Sequence, residues 1–555
     1  MKKLSLLTAA LLVAGPTALA QPIVSGGAQI QQIPPAPAPP RSLPDIRIER
    51  GQPPPATEPA GPKMVVGSLR VTGETRFSEA ELIAASGFRP GAELDLAGLR
   101  ALAARITDFY NRHGYFVAQA YVPAQDIANG AVTIAVIEGH YGKVALDNRS
   151  RASDRVARGI LAGLDPGDLV VTPPLERRLL LLSDLPGVGV KSVLSPGAAV
   201  GTSDLTVDLL PGPRVDGSLE ADNAGNRYTG EYRAGATVNF NEPLGIGDVA
   251  SLRVLTSGSG LNYARASYQA QVQDGIVGVA YAHLNYRLGR EFADLHASGT
   301  VDIASLYGSY PLIRSRDTNL YALADLDYRS YTDKVGSTSS VTDKSAVVAV
   351  LGLSGDHHDG LWGGGWNSYS LSWSIGDLDI KTPEVRAIDA ITARTEGDYD
   401  KLAFEVSRLQ ETGGPLSFWG EARGQLASKN LDSSEKMELG GAYGVRGYPE
   451  GEAYGDEGYI LTAEARLRMA RLSQWTRGQV QTFVFVDDGS VRLNKSPWVA
   501  GPNTRTLSAA GVGVSWANAH GLMIKVTYAA RLGSERATSA PDRSGRVWVQ
   551  VTQYF

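Results

Sequence analysis

From Tyr459 to Met469 the chain alternates. Tyr459, Leu461, Ala463, Ala465, Leu467 and Met469 fall on one parity, and Ile460, Thr462, Glu464, Arg466 and Arg468 on the other. Strict alternation over about eleven residues predicts a strand with one apolar face and one mostly charged face, long enough for a tilted membrane crossing. The pattern recurs. Ala264, Ala266, Tyr268, Ala270 and Val272 oppose Arg265, Ser267, Gln269 and Gln271, and Leu522, Ile524, Val526, Tyr528 and Ala530 oppose Met523, Lys525 and Thr527. Val480, Thr482, Val484 and Val486 share a face opposite Gln481, Phe483, Phe485 and Asp487. If the valines face lipid, Asp487 faces a barrel interior, where a half-buried carboxylate requires a cation.

Residues 64 to 210 read differently, with helical periods between short strands. Met64–Val71, Phe116–Val122 and Ala131–Ile137 are expected strands. Ser78 opens a short capped helix, and a longer one over 95–113 places Leu96, Leu99, Leu102, Ala103, Ile106 and Tyr110 on one face before Gly114. The β-α-α-β-β order repeats, with strands at 141–146, 188–194 and 204–209 and helices at 153–161 and 174–183. The second strand of each unit is the expected free edge: Phe116, Ala118, Ala120 and Val122 in the first, Val188 and Val190 in the second. An edge offers unpaired N–H and C=O groups to an extended chain.

The N-terminus carries Lys2 and Lys3, an apolar run from Leu4 to Val13, and Ala18-Leu19-Ala20, so residues 1–20 read as a cleaved secretory signal. Its loss takes the net charge from −5 to −7. Residues 21–63 are proline-rich and read as a semi-rigid extended linker. Ser25-Gly26-Gly27 disfavours a helix there. The chain has no cysteine, which excludes disulfides and thiolate metal sites, and no basic stripe that suits nucleic acid. Asp356-His357-His358-Asp359 reads as a polar turn rather than a metal site. No phosphate-cradling loop or nucleophile elbow is present, so no cofactor, metal or catalytic residue is expected. An abundance of Gly (63) and Tyr (23) with short alternating segments suits a transmembrane barrel.

One stretch organises the rest. Gly440-Gly441-Ala442-Tyr443-Gly444-Val445-Arg446-Gly447-Tyr448 sets a lone arginine among glycines, in a loop (440–458) too long for an ordinary hairpin. Val445-Arg446-Gly447-Tyr448 followed by Phe485-Val486-Asp487-Asp488-Gly489 resembles the paired motifs of the two-partner secretion transporters, the outer-membrane pores that export haemolysins and filamentous haemagglutinin-like adhesins. Asp222-Asn223-Ala224-Gly225, Leu244-Gly245-Ile246-Gly247-Asp248 and Tyr310-Pro311-Leu312 resemble further parts of the same family.

The resemblance implies α+β periplasmic domains followed by an all-β transmembrane barrel of about 16 antiparallel strands. The two small units, 64–138 and 139–212, would be polypeptide-transport-associated (POTRA) domains. The barrel would occupy 213–555, about 21 residues per strand with its connection. It further implies that Arg446 folds into the barrel and pairs with Asp487. In a water-filled lumen such a pair is screened and contributes only ~1 kcal/mol. Some members begin with a plug helix, which the glycines here argue against. Phe555 resembles the terminal signal by which barrels are recognised for insertion.

The function implied is export of a large unfolded secreted partner, β-helical once outside, from periplasm to cell surface of a Gram-negative bacterium. The other partners would be outer-membrane lipids and lipopolysaccharide, and the barrel assembly machinery during biogenesis, with the pore a monomer. An assembly factor that inserts other barrels, or a passive porin, remains the alternative.

Overall fold

The computed structural model describes residues 25–37, 45–48, 62–127 and 129–555. The expected signal over 1–20 lies outside them. A helix does form in the proline-rich segment. It is α1 (Gly26–Gln31), and the side chain of Ser25 caps it by accepting from Ala28 N–H. The two glycines weaken the helix intrinsically, but α1 lies against the barrel wall: Gly26 N–H donates to Asp333 Oδ1 at 2.9 Å, and Ser25 Oγ lies 2.7 Å from Ser433 Oγ. Packing outweighs propensity in a helix this short. A four-residue strand, β1 (Asp45–Ile48), follows.

The first small domain holds β2 (Met64–Val66), β3 (Ser68–Thr72), α2 (Glu79–Ser86), β4 (Ala92–Leu94), α3 (Leu96–Arg112), β5 (Gln119–Tyr121) and β6 (Ala131–Ile137). The expected first strand is broken at Gly67. Leu99, Leu102, Ala103, Ile106 and Tyr110 of α3 pack on Val132, Ile134 and Val136 of β6, so the predicted apolar face is the core. Leu96 lies outside that core, 38% exposed. Ser78 and Glu81 form a reciprocal capping box at α2.

Glu138 anchors the opposite end of this domain. It accepts from Thr75 N–H at 2.7 Å, Arg76 N–H at 3.0 Å and the Tyr110 hydroxyl at 2.9 Å. Burial pushes its carboxyl up, but these accepted bonds outweigh burial and hold it below the ordinary carboxylate value. A depressed folded pKa stabilises the domain above the unfolded pKa of ~4.3, and that stabilisation is lost as pH falls through the folded value. Glu138→Ala is therefore expected to cost ~1–3 kcal/mol at neutral pH and to flatten the acid sensitivity below about pH 4.3. Hydrogen exchange of residues 62–139 in the intact chain, at pH 7 and pH 4, measures both.

The second domain holds β7 (His140–Asn148), α4 (Asp154–Leu161), α5 (Thr172–Ser183), β8 (Val188–Pro196) and β9 (Thr202–Pro211). Its sheet order is β1-β8-β9-β7, with the linker strand β1 parallel on β8. The domain is fastened to the barrel's lower rim. Arg314 grips Asp184 through two bonds of 2.8 Å, and Arg177 and Arg178 both reach Asp274, at 3.1 and 2.9 Å.

Sixteen antiparallel strands then close into a barrel. They are β10 (Val215–Asp222), β11 (Arg233–Asn241), β12 (Val249–Thr256), β13 (Leu261–Val272), β14 (Gly275–Arg287), β15 (Ala297–Arg314), β16 (Thr318–Val335), β17 (Ser340–Asp359), β18 (Gly365–Ile380), β19 (Gly397–Glu411) and β20 (Leu416–Ala427). After a long loop that contains the short ribbon β21 (Met437–Glu438) and β22 (Tyr454–Gly455), they continue as β23 (Glu457–Arg468), β24 (Gly478–Arg492), β25 (Thr504–Asn518), β26 (Leu522–Leu532) and β27 (Gly545–Tyr554). β10 pairs with β27, closing the seam, and Phe555 exchanges two backbone bonds of 3.1 Å with Gly217 beside it. Strand length ranges from 8 residues to 20, so the longest exceed the alternating stretch of about eleven seen in the sequence. The expected polar turn at Asp356–Asp359 is instead the end of β17, still paired with β18.

Candidate functional site inside the barrel

The loop between β20 and β23 folds back into the lumen, its neck held by the β21–β22 pair. Val445, Tyr448 and Leu439 are fully buried against Leu507 and Ala509 of β25. Gly447 sits so close to the wall that a Cβ on it would lie 2.8 Å from the Ala509 methyl, so only glycine allows this approach. The same holds across from it, where a side chain on Gly489 would run into Leu439.

At the tip, the Arg446 guanidinium meets Asp487 of β24 edge-on. Nε donates to Oδ2 at 2.8 Å and Nη2 to Oδ1 at 2.7 Å. The Arg446 backbone N–H adds a third bond to the same carboxylate at 3.1 Å. Arg446 is 6% exposed and Asp487 0%, while Val484 and Val486 are 54% and 50% exposed on the lipid face. The parity reading of β24 therefore matches the wall. Phe485 lies under the cation, with the guanidinium carbon 3.4 Å from the ring centroid.

Two partners were not foreseen. Glu464 of β23 accepts from Arg446 Nη1 at 2.7 Å and from Arg466 Nε at 2.8 Å. The alternation places it only on the mostly charged face of its strand. Its signal lay in the register, since Thr462 pairs with Asp487 and Glu464 is the next residue on the same face. Trp548 of β27 donates its indole N–H to the Arg446 carbonyl at 2.8 Å, tying the loop tip to the closing strand. The cluster is thus nearly buried at the edge of the cavity rather than fully water-screened as expected, so each charge depends on the others.

Further anchors hold the rest of the loop. Glu452, 1% exposed, accepts from Arg505 at 2.7 Å and from the backbone and hydroxyls of Thr538 and Ser539 in the loop after β26. Glu435 bridges Arg329 and Lys401, both at 2.6 Å, and Asp432 takes Lys344 at 2.6 Å. Beside the tip an open cavity of about 700 Å³ is bordered by Arg423, Arg446, Glu464, Arg466, Lys525 and α1-flanking Gln32. Lumen-facing Arg265 and Gln269 lie elsewhere on the wall.

The expected edge strands fare unevenly. Only Gln119–Tyr121 of the 116–122 segment is a strand. Phe116 and Val117 instead pack on the core of the second domain, so they form the joint between domains. Ala118 N–H already donates to Tyr115 O at 3.0 Å, and Ala120 N–H to Thr107 Oγ1 at 2.9 Å. Val122 lies just past the strand. Val188 and Val190 do lie in β8, but from Lys191 onward that edge carries β1.

A family model described as haemolysin secretion/activation protein ShlB/FhaC/HecB matches residues 201–516, and one for the ShlB-type POTRA domain matches residues 64–139. The heme/hemopexin transporter protein HuxB of Haemophilus influenzae (strain 86-028NP) is 29% identical over 450 residues, covering 79% of this chain and 78% of HuxB. The outer membrane transporter CdiB of Escherichia coli is 24% identical over 478 residues, 83% of this chain and 78% of its own. The solved structure of CdiB from Escherichia coli matches with a TM-score of 0.71 at 21% identity, over 91% of this chain and 93% of that one, which is a likeness of fold. The chain belongs to the haemolysin secretion/activation family of two-partner secretion transporters, outer-membrane barrels with periplasmic POTRA domains that carry a secreted partner protein to the cell surface.

Proposed function

We propose that this pore exports one large, unfolded, β-rich exoprotein in extended form, and that the Arg446 loop governs the conducting path. The observation that carries this reading is the nearly buried Arg446–Asp487–Glu464 cluster at the tip of a loop folded into the lumen. A buried ion cluster adds little net stability but strongly penalises loss of one member. It therefore suits a catch that holds one arrangement until something replaces its contacts. The lumen beside it is polar and mixed in charge, which suits a chain in transit with no fixed sequence. Energy comes from folding of the emerged partner, and the pore performs no covalent chemistry. It works as a monomer in a lipopolysaccharide-containing membrane, with Phe555 presented to the barrel assembly machinery during insertion.

The test is deletion of this chain from its host. One large signal-bearing exoprotein is expected to vanish from the cell surface and medium and to appear as periplasmic fragments, with other outer-membrane barrels unchanged. A general fall in outer-membrane barrels would instead identify an assembly factor.

Topology gives a second expected result. Protease added to intact cells spares residues 64–210 and cuts there only after the outer membrane is permeabilised. Cleavage of that region in intact cells would overturn the orientation.

A further inference from the structure

The outward face of β14, β15 and β16 changes character in regular steps. The lower ends of these strands lie at the periplasmic rim, where Asp274 and Arg314 meet the second domain. Their upper ends, at Arg287, Ala297 and Val335, are therefore extracellular. The inward parity is fixed by Leu284, Tyr286, Val301 and Tyr331, all buried. On the outward parity Val277, Val279, Leu306 and Leu326 are exposed and apolar, as lipid contact requires. Tyr281 and Tyr328, both in register with Ala304, close that band. Tyrosines in such a row mark a membrane–water interface.

Above the tyrosines the register sets three polar rungs, because residues two apart share a face. His283, Asp302 and Ser330 form the first. Asp302 is already engaged there, accepting from the Tyr281 hydroxyl at 2.5 Å and lying 2.7 Å from His283 Nδ1. Asn285, Thr300 and Thr332 form the second rung, and Arg287, Ser298 and Lys334 the third. Arg287 and Lys334 are exposed, and among the described residues neither side chain has a hydrogen-bond or ion-pair partner. Two strand spacings set their strands ~10 Å apart, with the serine between them.

We infer that this face binds the anionic glycolipid of the outer leaflet, lipopolysaccharide. Its acyl chains lie along the valines and leucines, its sugars against the amide and hydroxyl rung, and its acidic groups between Arg287 and Lys334. Cations beside an anionic membrane surface attract it, and a guanidinium takes a phosphate or carboxylate through two bonds. Height selects the ligand. Arg287 stands six residues beyond Tyr281 on β14, ~20 Å along the strand and ~15 Å in height at the usual tilt. The phosphate of a glycerophospholipid stops below that level and meets Asp302, which repels it. The core sugars of a glycolipid rise to the cations, whose long stems also reach down towards the headgroup. Binding here requires only the barrel's orientation and is independent of what the pore exports.

The test uses the full transporter in detergent, titrated with a deep-rough lipopolysaccharide (lipid A with two acidic core sugars) and followed by native mass spectrometry. The wild type is expected to hold one molecule. Arg287→Ser with Lys334→Ser is expected to bind it at least about tenfold more weakly, with heat-dependent gel mobility unchanged. The charge-keeping pair Arg287→Lys with Lys334→Arg should retain it. Arg543→Ser removes an exposed cation from the loop between β26 and β27, across the barrel, and should bind as the wild type does. Undiminished binding by the double-serine variant overturns the site, and so does loss of binding in the charge-keeping pair. An equal fall in Arg543→Ser would reveal an effect of net charge alone and overturn it too. Excess phosphatidylglycerol should leave the glycolipid bound, and displacement by it would overturn the choice of glycolipid over phospholipid.

Discussion

Arg446→Ala leaves a folded, inserted barrel that exports little or nothing. The wall does not depend on the arginine, because β23 pairs with β24 along its whole length, from Glu457↔Arg492 to Arg468↔Gln481. The loop does. Without the guanidinium, Asp487 and Glu464 face one cavity with no shared cation, although Arg466 still reaches Glu464. Removing one member of a buried ion cluster costs ~3–5 kcal/mol, against the ~1 kcal/mol expected for a screened pair. That penalty falls on the seated position of the loop, so the loop tip leaves the wall. Arg446→Lys keeps the charge but loses the fork that engages both oxygens of Asp487 while a third nitrogen takes Glu464, and an intermediate loss is expected. The measurements are heat-dependent gel mobility, which should match the wild type, and export of the exoprotein, which should not. Normal export by Arg446→Ala removes the proposed role of the loop.

Asp487 was legible because period two is rigid: once Val484 and Val486 face lipid, Asp487 faces inward, whatever else the chain does. Glu464 shared that inward parity, but linking it to Arg446 required the register of β23 on β24. Trp548 and Glu452 carried no local signal. Their partners lie 102 and up to 87 residues away and meet only when the barrel closes. The helix α1 was misjudged for a physical reason. Propensity describes an isolated helix, whereas Ser25 caps this one and the wall surrounds it. The length of β17 was hidden too, since polar residues such as Asp343 and Lys344 continue the ladder past the apolar band.

Gly27→Val is expected to open the pore. The two lines of argument predict opposite signs here. By propensity, any residue but proline strengthens a helix relative to glycine, by up to ~1 kcal/mol for alanine, so substitution should seat α1 more firmly. Packing says otherwise. A Cβ on Gly27 would lie 2.7 Å from the Ser434 Cβ and 2.8 and 2.9 Å from the Ser434 backbone N and Cα. A backbone neighbour cannot swing aside as a flexible side chain can, and Ser434 belongs to the loop already fixed through Asp432 and Glu435. Gly26 is no freer, since its Cβ would meet Val301 Cγ2 at 2.7 Å. Overpacking of this kind costs ~1–3 kcal/mol, and valine adds two methyl groups to the clash. Among the described residues, the bonds that hold α1 and its caps are six: Gly26 to Asp333, Ser25 to Ser433, Gln31 to the Ser433 carbonyl at 3.4 Å, Thr229 to Gln29 at 2.9 Å, Arg233 to the Gln32 carbonyl, and Gln32 to the Tyr454 hydroxyl. α1 is therefore expected to leave its seat on the wall, with the barrel ladder intact, and single-channel conductance in planar bilayers to rise several-fold. Gly27→Ala should fall between the two. Protease sensitivity of residues 25–37 should rise in the same order, and a Gly27→Val pore with wild-type conductance and protection would show that the loop yields to the helix instead.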